Sequence, residues 1–303
     1  MVLRCSNAFG LGLRSDLPLA GLVPAHPVEP AVSIRLATAG EIAGAWTGTE
    51  HRSIGVLPDG CRCVAERARG GELRIAYGDR ALYLLSADAA TILCAPEQLE
   101  EPTWQRFLLD AVLLKASEAH GLEALHASAV QGPDGVLAFA TQAGGGKSSL
   151  ASELVRRGHP FFADDALALR RDDGEIRAHP APPLMNFPLD HPEGFDAGEL
   201  GTVQAVVGPE AWLAVRHAAT APCRVAAIHL LDRRPGLRPG LELLPSSPVP
   251  LLEHVLGDLG SRARMACRFE LLADLVAGTA VYRLRADPAT PVSRLAELVE
   301  SAF

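Results

Sequence analysis

The stretch ATQAGGGKSSL, residues 140–150, decides how this chain is read. It has the form of a phosphate-cradling loop, G-x-x-x-x-G-K-[ST], with Thr141 standing where the pattern has its first glycine. Just upstream, the apolar run VLAFA (136–140) is a strand signal. A Pro-Asp-Gly turn separates it from a second β-type run, LEALHASAV, so 124–130 and 136–141 are expected to form a hairpin. Downstream, SSLASELVRRG puts Leu150, Leu154 and Val155 on one helical face and meets a stop at Gly158. Strand, glycine loop and helix in that order are the setting in which this motif binds phosphate.

The residue types fit that chemistry. Gly144, Gly145 and Gly146 can take positive φ and let backbone N–H groups converge on phosphate oxygens, while the following helix turns its positive end to the same anion. Lys147 is placed to reach the outer phosphates, and the Ser148 hydroxyl suits Mg²⁺. The nucleotide-binding set expected from the motif is Ala143, Gly144, Gly145, Gly146, Lys147, Ser148 and Ser149, with ATP and Mg²⁺ as ligands. Lysine is scarce here: Lys115 and Lys147 stand against 26 arginines. A lysine between Gly146 and Ser148 is therefore hard to ascribe to chance, although a structural glycine turn is the bland alternative.

The run FFADD (161–165) follows the loop's helix and ends in two adjacent carboxylates, Asp164 and Asp165. Beside a triphosphate, such a pair suits metal binding and acceptance of a proton from an attacking hydroxyl. A strand alternates its side chains, so the two would have different jobs. A cap or turn is the ordinary reading of an isolated Asp pair, and it explains Asp172 and Asp173 as a hairpin turn. Arg233, Arg234 and Arg238, in LLDRRPGLRPG, offer a positive group that would stabilise a transferring phosphoryl, and a solvated basic turn explains them at least as well. Arg262, Arg264 and Arg268 read as a solvated helix face.

Composition bounds the rest. At 303 residues, 48% hydrophobic and 21% charged, the chain can bury a large core. A net charge of −8 disfavours nucleic acid and anionic membrane as partners, and no apolar run approaches the roughly 18 residues of a spanning helix. The N-terminus does not read as a signal peptide, and six scattered cysteines suit free thiols in a reducing cytoplasm. Residues 1–40 show no clear periodicity. From 51 to 95, RSIGVL, CRCVAER, ELRIAYG and ALYLLS alternate with turn signals, as in an antiparallel meander. A helix follows in 96–121, with Phe107, Leu108, Val112 and Leu114 on one side. The expected division is a β-rich domain over 1–100, for substrate recognition or assembly, and a catalytic domain over 101–303.

RGH at 157–159 and Asp164, 17 positions after Lys147, resemble the HPr kinase/phosphorylase superfamily of bacterial protein serine kinases, related in fold to phosphoenolpyruvate carboxykinase. His126, 21 positions before Lys147, matches that family's histidine; read alone, it would be a buried core residue. FGLGLRSDLPL (9–19), LHASAV (125–130) and HPAPP (179–183) are similar to the HPr-kinase-like proteins of lasso-peptide and other ribosomal peptide clusters. The resemblance implies an α/β fold: a P-loop kinase core of the HPr kinase/phosphoenolpyruvate carboxykinase-like type, with a smaller β-rich N-terminal domain. It implies phosphoryl transfer from ATP to a serine of a precursor peptide or protein, and homo-oligomeric assembly. Asp164 would be the base, and Ser148 and Asp165 would hold the metal. Lys147 would grip the phosphates, and His126 would touch the γ-phosphate or tune Asp164. A small-molecule kinase and a non-enzymatic nucleotide-gated module remain as alternatives.

Overall fold

The computed structural model describes residues 3–57, 60–191, 194–257 and 262–302. The chain forms two compact units, 1–121 and 122–303.

The first unit is built on an eight-stranded sheet. Its spatial order is Arg4–Ala8, Leu11–Ser15, Ala31–Leu36, Thr91–Pro96, Ala81–Leu85, Leu73–Tyr77, Arg62–Arg67 and His51–Val56. Strands His51–Val56, Arg62–Arg67, Leu73–Tyr77 and Ala81–Leu85 pair antiparallel in the order of the four β-type runs in the sequence, and Thr91–Pro96 extends the meander by a fifth strand outside those runs. The segment without visible periodicity also supplies strands. Leu11–Ser15 and Ala31–Leu36 run parallel to each other, and Ala31–Leu36 runs parallel to Thr91–Pro96. Strands buried on both faces lack the alternation that marks a half-exposed one, which is why Leu11–Ser15 left no pattern. The helical stretch Thr103–Ala119, with a π-turn over Leu108–Val112, belongs to this unit. Phe107 stacks on Tyr77 with ring centroids 4.5 Å apart, and the Tyr83 hydroxyl donates to the Trp104 carbonyl at 2.7 Å. That packing joins the helix to the sheet of the unit that runs to residue 121.

The second unit centres on three parallel strands, Gly135–Ala140, Cys223–Arg233 and Ala280–Ala286. The hairpin partner Ala127–Gly132 pairs with Gly135–Ala140 on one side and with Phe161–Ala163 on the other. The expected hairpin strand is broken at His126. Glu123–Leu125 pairs instead with Leu167–Asp172, whose hairpin to Glu175–His179 turns at Asp173 and Gly174, both at positive φ. Helix Lys147–Arg156 packs on the parallel strands beside helix Val292–Glu300, and Leu150, Leu154, Phe139, Leu284, Leu295 and Val299 share one core. A three-stranded sheet, Leu184–Pro188, Glu210–Val215 and Gly201–Val207, covers the same helix through Met185, Phe187 and Leu213.

The loop's helix is also pinned by charge. Glu153 has no exposed surface, yet Arg156 and Arg157 donate to it at 2.8 and 2.7 Å. Burial works to raise its pKa, and the two guanidinium groups outweigh burial and hold it low. Arg157 reaches on to Glu300 and to the Ser293 carbonyl, both at 2.9 Å, and His159 Nε2 lies 3.3 Å from Glu300. Two of the three residues of the RGH motif therefore lock the loop's helix to the C-terminal helix, and Gly158, at φ +102°, lets the chain turn between them.

His229 lies in the middle strand, fully buried between the rings of Phe139 and Tyr282, each with its centroid 5.4 Å away. Burial pushes its pKa down to about 4. The folded chain then stays neutral at His229 while the unfolded chain takes a proton below its ordinary value. Stability is present above pH 6.5 and lost as the pH falls toward 4, by on the order of 3 kcal/mol. His229→Phe is expected to keep neutral-pH stability and to lose much less of it on acidification. Urea unfolding at pH 7 and pH 4.5 checks this, and parallel losses in both proteins would refute it.

Candidate active site

The glycine loop, 141–146, leaves strand Gly135–Ala140 and enters helix Lys147–Arg156. Gly146 caps the helix at φ +93° with no side chain accepting from its first amides, and Gly144 sits at φ +76°. The first-turn N–H groups are thus turned toward the loop's concavity, the arrangement that suits an anion. Ala143 and Gly144 are exposed on the loop, and Ser149 lies half-buried in the first turn.

Thr141 fits the loop through its neighbours. It is buried, and its hydroxyl donates to the Leu231 carbonyl at 3.2 Å, tying the loop to the adjacent parallel strand. A Cβ on Gly145 would fall 2.3 Å from the Thr141 hydroxyl oxygen and 2.4 Å from its methyl carbon. The threonine occupies space that Gly145 leaves empty.

Strand Phe161–Ala163 delivers the two aspartates to this loop. Asp164 is buried and accepts from three elements: the Ser128 hydroxyl at 2.6 Å, the Ser148 hydroxyl at 2.8 Å and the Asn186 amide N–H at 3.0 Å. Burial, followed by the neighbouring Asp165 charge, pushes its pKa up to about 6 despite these donors. Asp165 turns the other way, at a left-handed φ of +60°, and its side chain is 49% exposed. Lys147 Nζ lies 3.0 Å from Asp165 Oδ1, His126 Nε2 lies 3.8 Å from it, and Asn186 Nδ2 donates to Oδ2 at 3.1 Å. Burial works to raise the Asp165 pKa, but His126 and Lys147 outweigh it and hold the carboxyl well below the usual range. Adjacent residues on an extended backbone point apart, and the left-handed turn at Asp165 aims its carboxylate at the lysine.

All the expected residues meet at the loop, though in different pairings. Ser148 joins Asp164, while Asp165, expected as its metal partner, joins Lys147 and His126. Ser128, Asn186 and His254 were not foreseen. Ser128 carries a signal in the sequence alone, since it lies two positions from His126 within a run that reads as one strand, where alternation would put both on one face. Asn186 comes from the three-stranded sheet. The carbonyl of His254 accepts from the His126 N–H at 2.6 Å, and burial lowers the His254 pKa, with His126 and Lys147 adding to the effect. Neither residue leaves a local mark in the sequence. The helix-face arginines differ from expectation as well. Arg268 is buried and donates to Glu123 at 2.6 Å, and Arg264 lies 3.4 Å from the same carboxylate, because the strand end Glu123–Leu125 runs beneath that helix.

The oxygen donors fit a magnesium ion. The described residues hold no group of three or more His, Cys, Asp or Glu set to grip a metal unaided. Mg²⁺ shared with nucleotide phosphates takes only one or two protein oxygens, and Ser148 with Asp164 offers them. No described helix is long and apolar enough to cross a membrane.

No protein-family model and no curated protein matches the chain. Among solved structures it is similar to the Hpr(Ser) kinase/phosphatase from Coxiella burnetii. The two are 14% identical over 59% of this chain and 89% of that one, with a TM-score of 0.33.

The contact between Thr141 and Gly145 has a direct test. Gly145→Ala is expected to weaken ATP binding about tenfold or more, since the loop must open to admit one methyl group. The double variant with Thr141→Gly is expected to regain most of that loss. Calorimetric titration reads both, and wild-type affinity in Gly145→Ala alone would refute the contact's role.

Proposed function

We propose that this protein is an ATP-dependent kinase that transfers a phosphoryl group to a serine hydroxyl of a peptide or protein. One observation carries the reading: a half-exposed carboxylate, Asp165, stands 3.0 Å from the phosphate-loop lysine, beside a second carboxylate bonded to the loop's serine. A nucleotide sensor needs the cradle but has no use for an exposed base beside it. The openness of Asp165 favours a bulky acceptor over a metabolite sealed in a closed pocket.

The geometry favours a division of labour opposite to the one that the family resemblance implies. Asp164 and Ser148 would hold Mg²⁺, which when bound offsets the charge on the phosphates. Asp164 is buried with three of its roughly four acceptor positions taken, which leaves one for the metal and none for an incoming hydroxyl. Asp165 would orient the acceptor serine and take its proton. Lys147 would leave Asp165 for the phosphates as nucleotide enters, and His126 would help fix the carboxylate's position. The loop amides and the helix N-terminus would hold the polyphosphate in line with the acceptor. The similarity of FGLGLRSDLPL, LHASAV and HPAPP to kinases of lasso-peptide clusters points to the precursor peptide of such a cluster as acceptor.

Incubation with Mg²⁺, labelled ATP and either the precursor peptide encoded beside this gene or size-fractionated lysate tests the activity. Label is expected in a peptide serine. Label in metabolites alone would favour a small-molecule kinase, and nucleotide binding without transfer would favour a gated module. Asp165→Asn is expected to lower kcat by roughly 10²–10⁴-fold with ATP affinity near wild type, the range for a lost proton acceptor. Asp164→Asn is expected to raise the Mg²⁺ concentration needed for half-maximal rate. The reverse pattern would return the base role to Asp164.

A further inference from the structure

Strand Cys223–Arg233 ends beside the phosphate loop, and its last side chain is held in an unusual way. Arg233 Nη2 donates to two backbone carbonyls, Pro288 at 2.6 Å and Thr290 at 3.1 Å, in the turn before helix Val292–Glu300. Those bonds fix the plane of the guanidinium. Its other amino group lies against the loop: a Cβ on Gly146 would sit 3.0 Å from Arg233 Nη1. Arg233 Nε is buried and has no hydrogen-bond partner among the described residues. Arg233 also makes no ion pair among the described residues. The next residue behaves otherwise, since Arg234 is bound to Asp232 through two N–H groups at 2.7 Å each.

A fixed guanidinium that is partly desolvated, with the Asp287 carboxylate acting on it only from beyond ion-pair distance, has charge left for a second anion to complete. Here the neighbour is a loop whose amides and helix end are arranged for phosphate. Gly146 is the residue immediately before Lys147, so Arg233 faces the loop from the strand side.

We propose that Arg233 is a second cationic ligand of the nucleotide's phosphates, contacting a non-bridging oxygen beside Gly146 while Lys147 takes the outer phosphates. The inference rests on the nucleotide-binding reading above and names a residue that the loop motif does not contain. A planar, pre-oriented guanidinium suits a phosphate oxygen better than a mobile lysine. It also gives Gly146 a second reason to lack a side chain, besides its positive φ: a Cβ there would press on the arginine.

Titration of the full chain with Mg²⁺–ADP and Mg²⁺–ATP separates the cases. Arg233→Gln is expected to weaken both about 30-fold, the scale of one charge-assisted hydrogen bond. Arg233→Lys should show an intermediate loss of about fivefold, and Arg234→Gln should bind like wild type. Melting temperatures are read in parallel. If Arg233→Gln melts far below wild type, Arg233→Lys with an unchanged melting temperature decides: a loss near fivefold supports the contact and wild-type affinity overturns it. Wild-type binding in a well-folded Arg233→Gln, or an equal loss in Arg234→Gln, also overturns it while leaving the nucleotide reading intact. If the wild-type protein binds neither nucleotide, both readings fall together.

Discussion

A buried carboxylate without donors would be expelled or protonated, and Asp164 escapes both only because three separate segments bring it donors. Ser128 comes from the hairpin strand, Ser148 from the first turn of the loop's helix, and the Asn186 N–H from the three-stranded sheet. Each segment is thereby placed relative to the other two. The constraint works in both directions, since displacing any one donor leaves a desolvated charge whose cost the remaining fold must bear. With Asp164 fixed, the following residue is turned into the left-handed region, and Asp165 is left as the carboxylate that faces Lys147.

The loop shows how a departure from a motif is absorbed. A threonine at the first position fills space and needs a partner for its hydroxyl. The Leu231 carbonyl supplies the partner, and the missing side chain of Gly145 supplies the space. The same strand that accepts from Thr141 ends at Arg233, so the strand beside the loop contributes both a clasp and a charge. Behind the loop, Glu153 with Arg156 and Arg157 joins the helix to the C-terminal helix. The loop is therefore braced at its entry and along the helix that leaves it.

The legible parts were local. The four β-type runs between 51 and 86, the strand–loop–helix around 140–156 and the strand before Asp164 follow from alternation, turn residues and helical spacing within short windows. The first 40 residues were not legible, because Leu11–Ser15 is buried almost throughout, and Ala31–Leu36 is placed by parallel pairing with it and with the distant Thr91–Pro96. The helix's membership of the first unit is set in a similar way: Phe107 and Trp104 find their ring and hydroxyl partners in strands 20 to 30 residues earlier. The buried Arg268 looked like any surface arginine until Glu123 was brought beside it.

By itself the sequence determined the glycine loop between strand and helix, the carboxylate pair and the histidine that would gather there, since each is a residue type at a fixed spacing along one chain segment. Only the tertiary structure decided which aspartate is buried and which is open. That choice depends on donors from Ser128, Ser148 and Asn186, whose spacing along the chain, 128, 148 and 186, carries no periodicity to read. The same holds for Arg233, whose place beside Gly146 is fixed by two carbonyls more than fifty residues away. Short-range sterics and hydrogen bonding are written in neighbouring residues, whereas the desolvation of a charge is settled only when distant segments close around it.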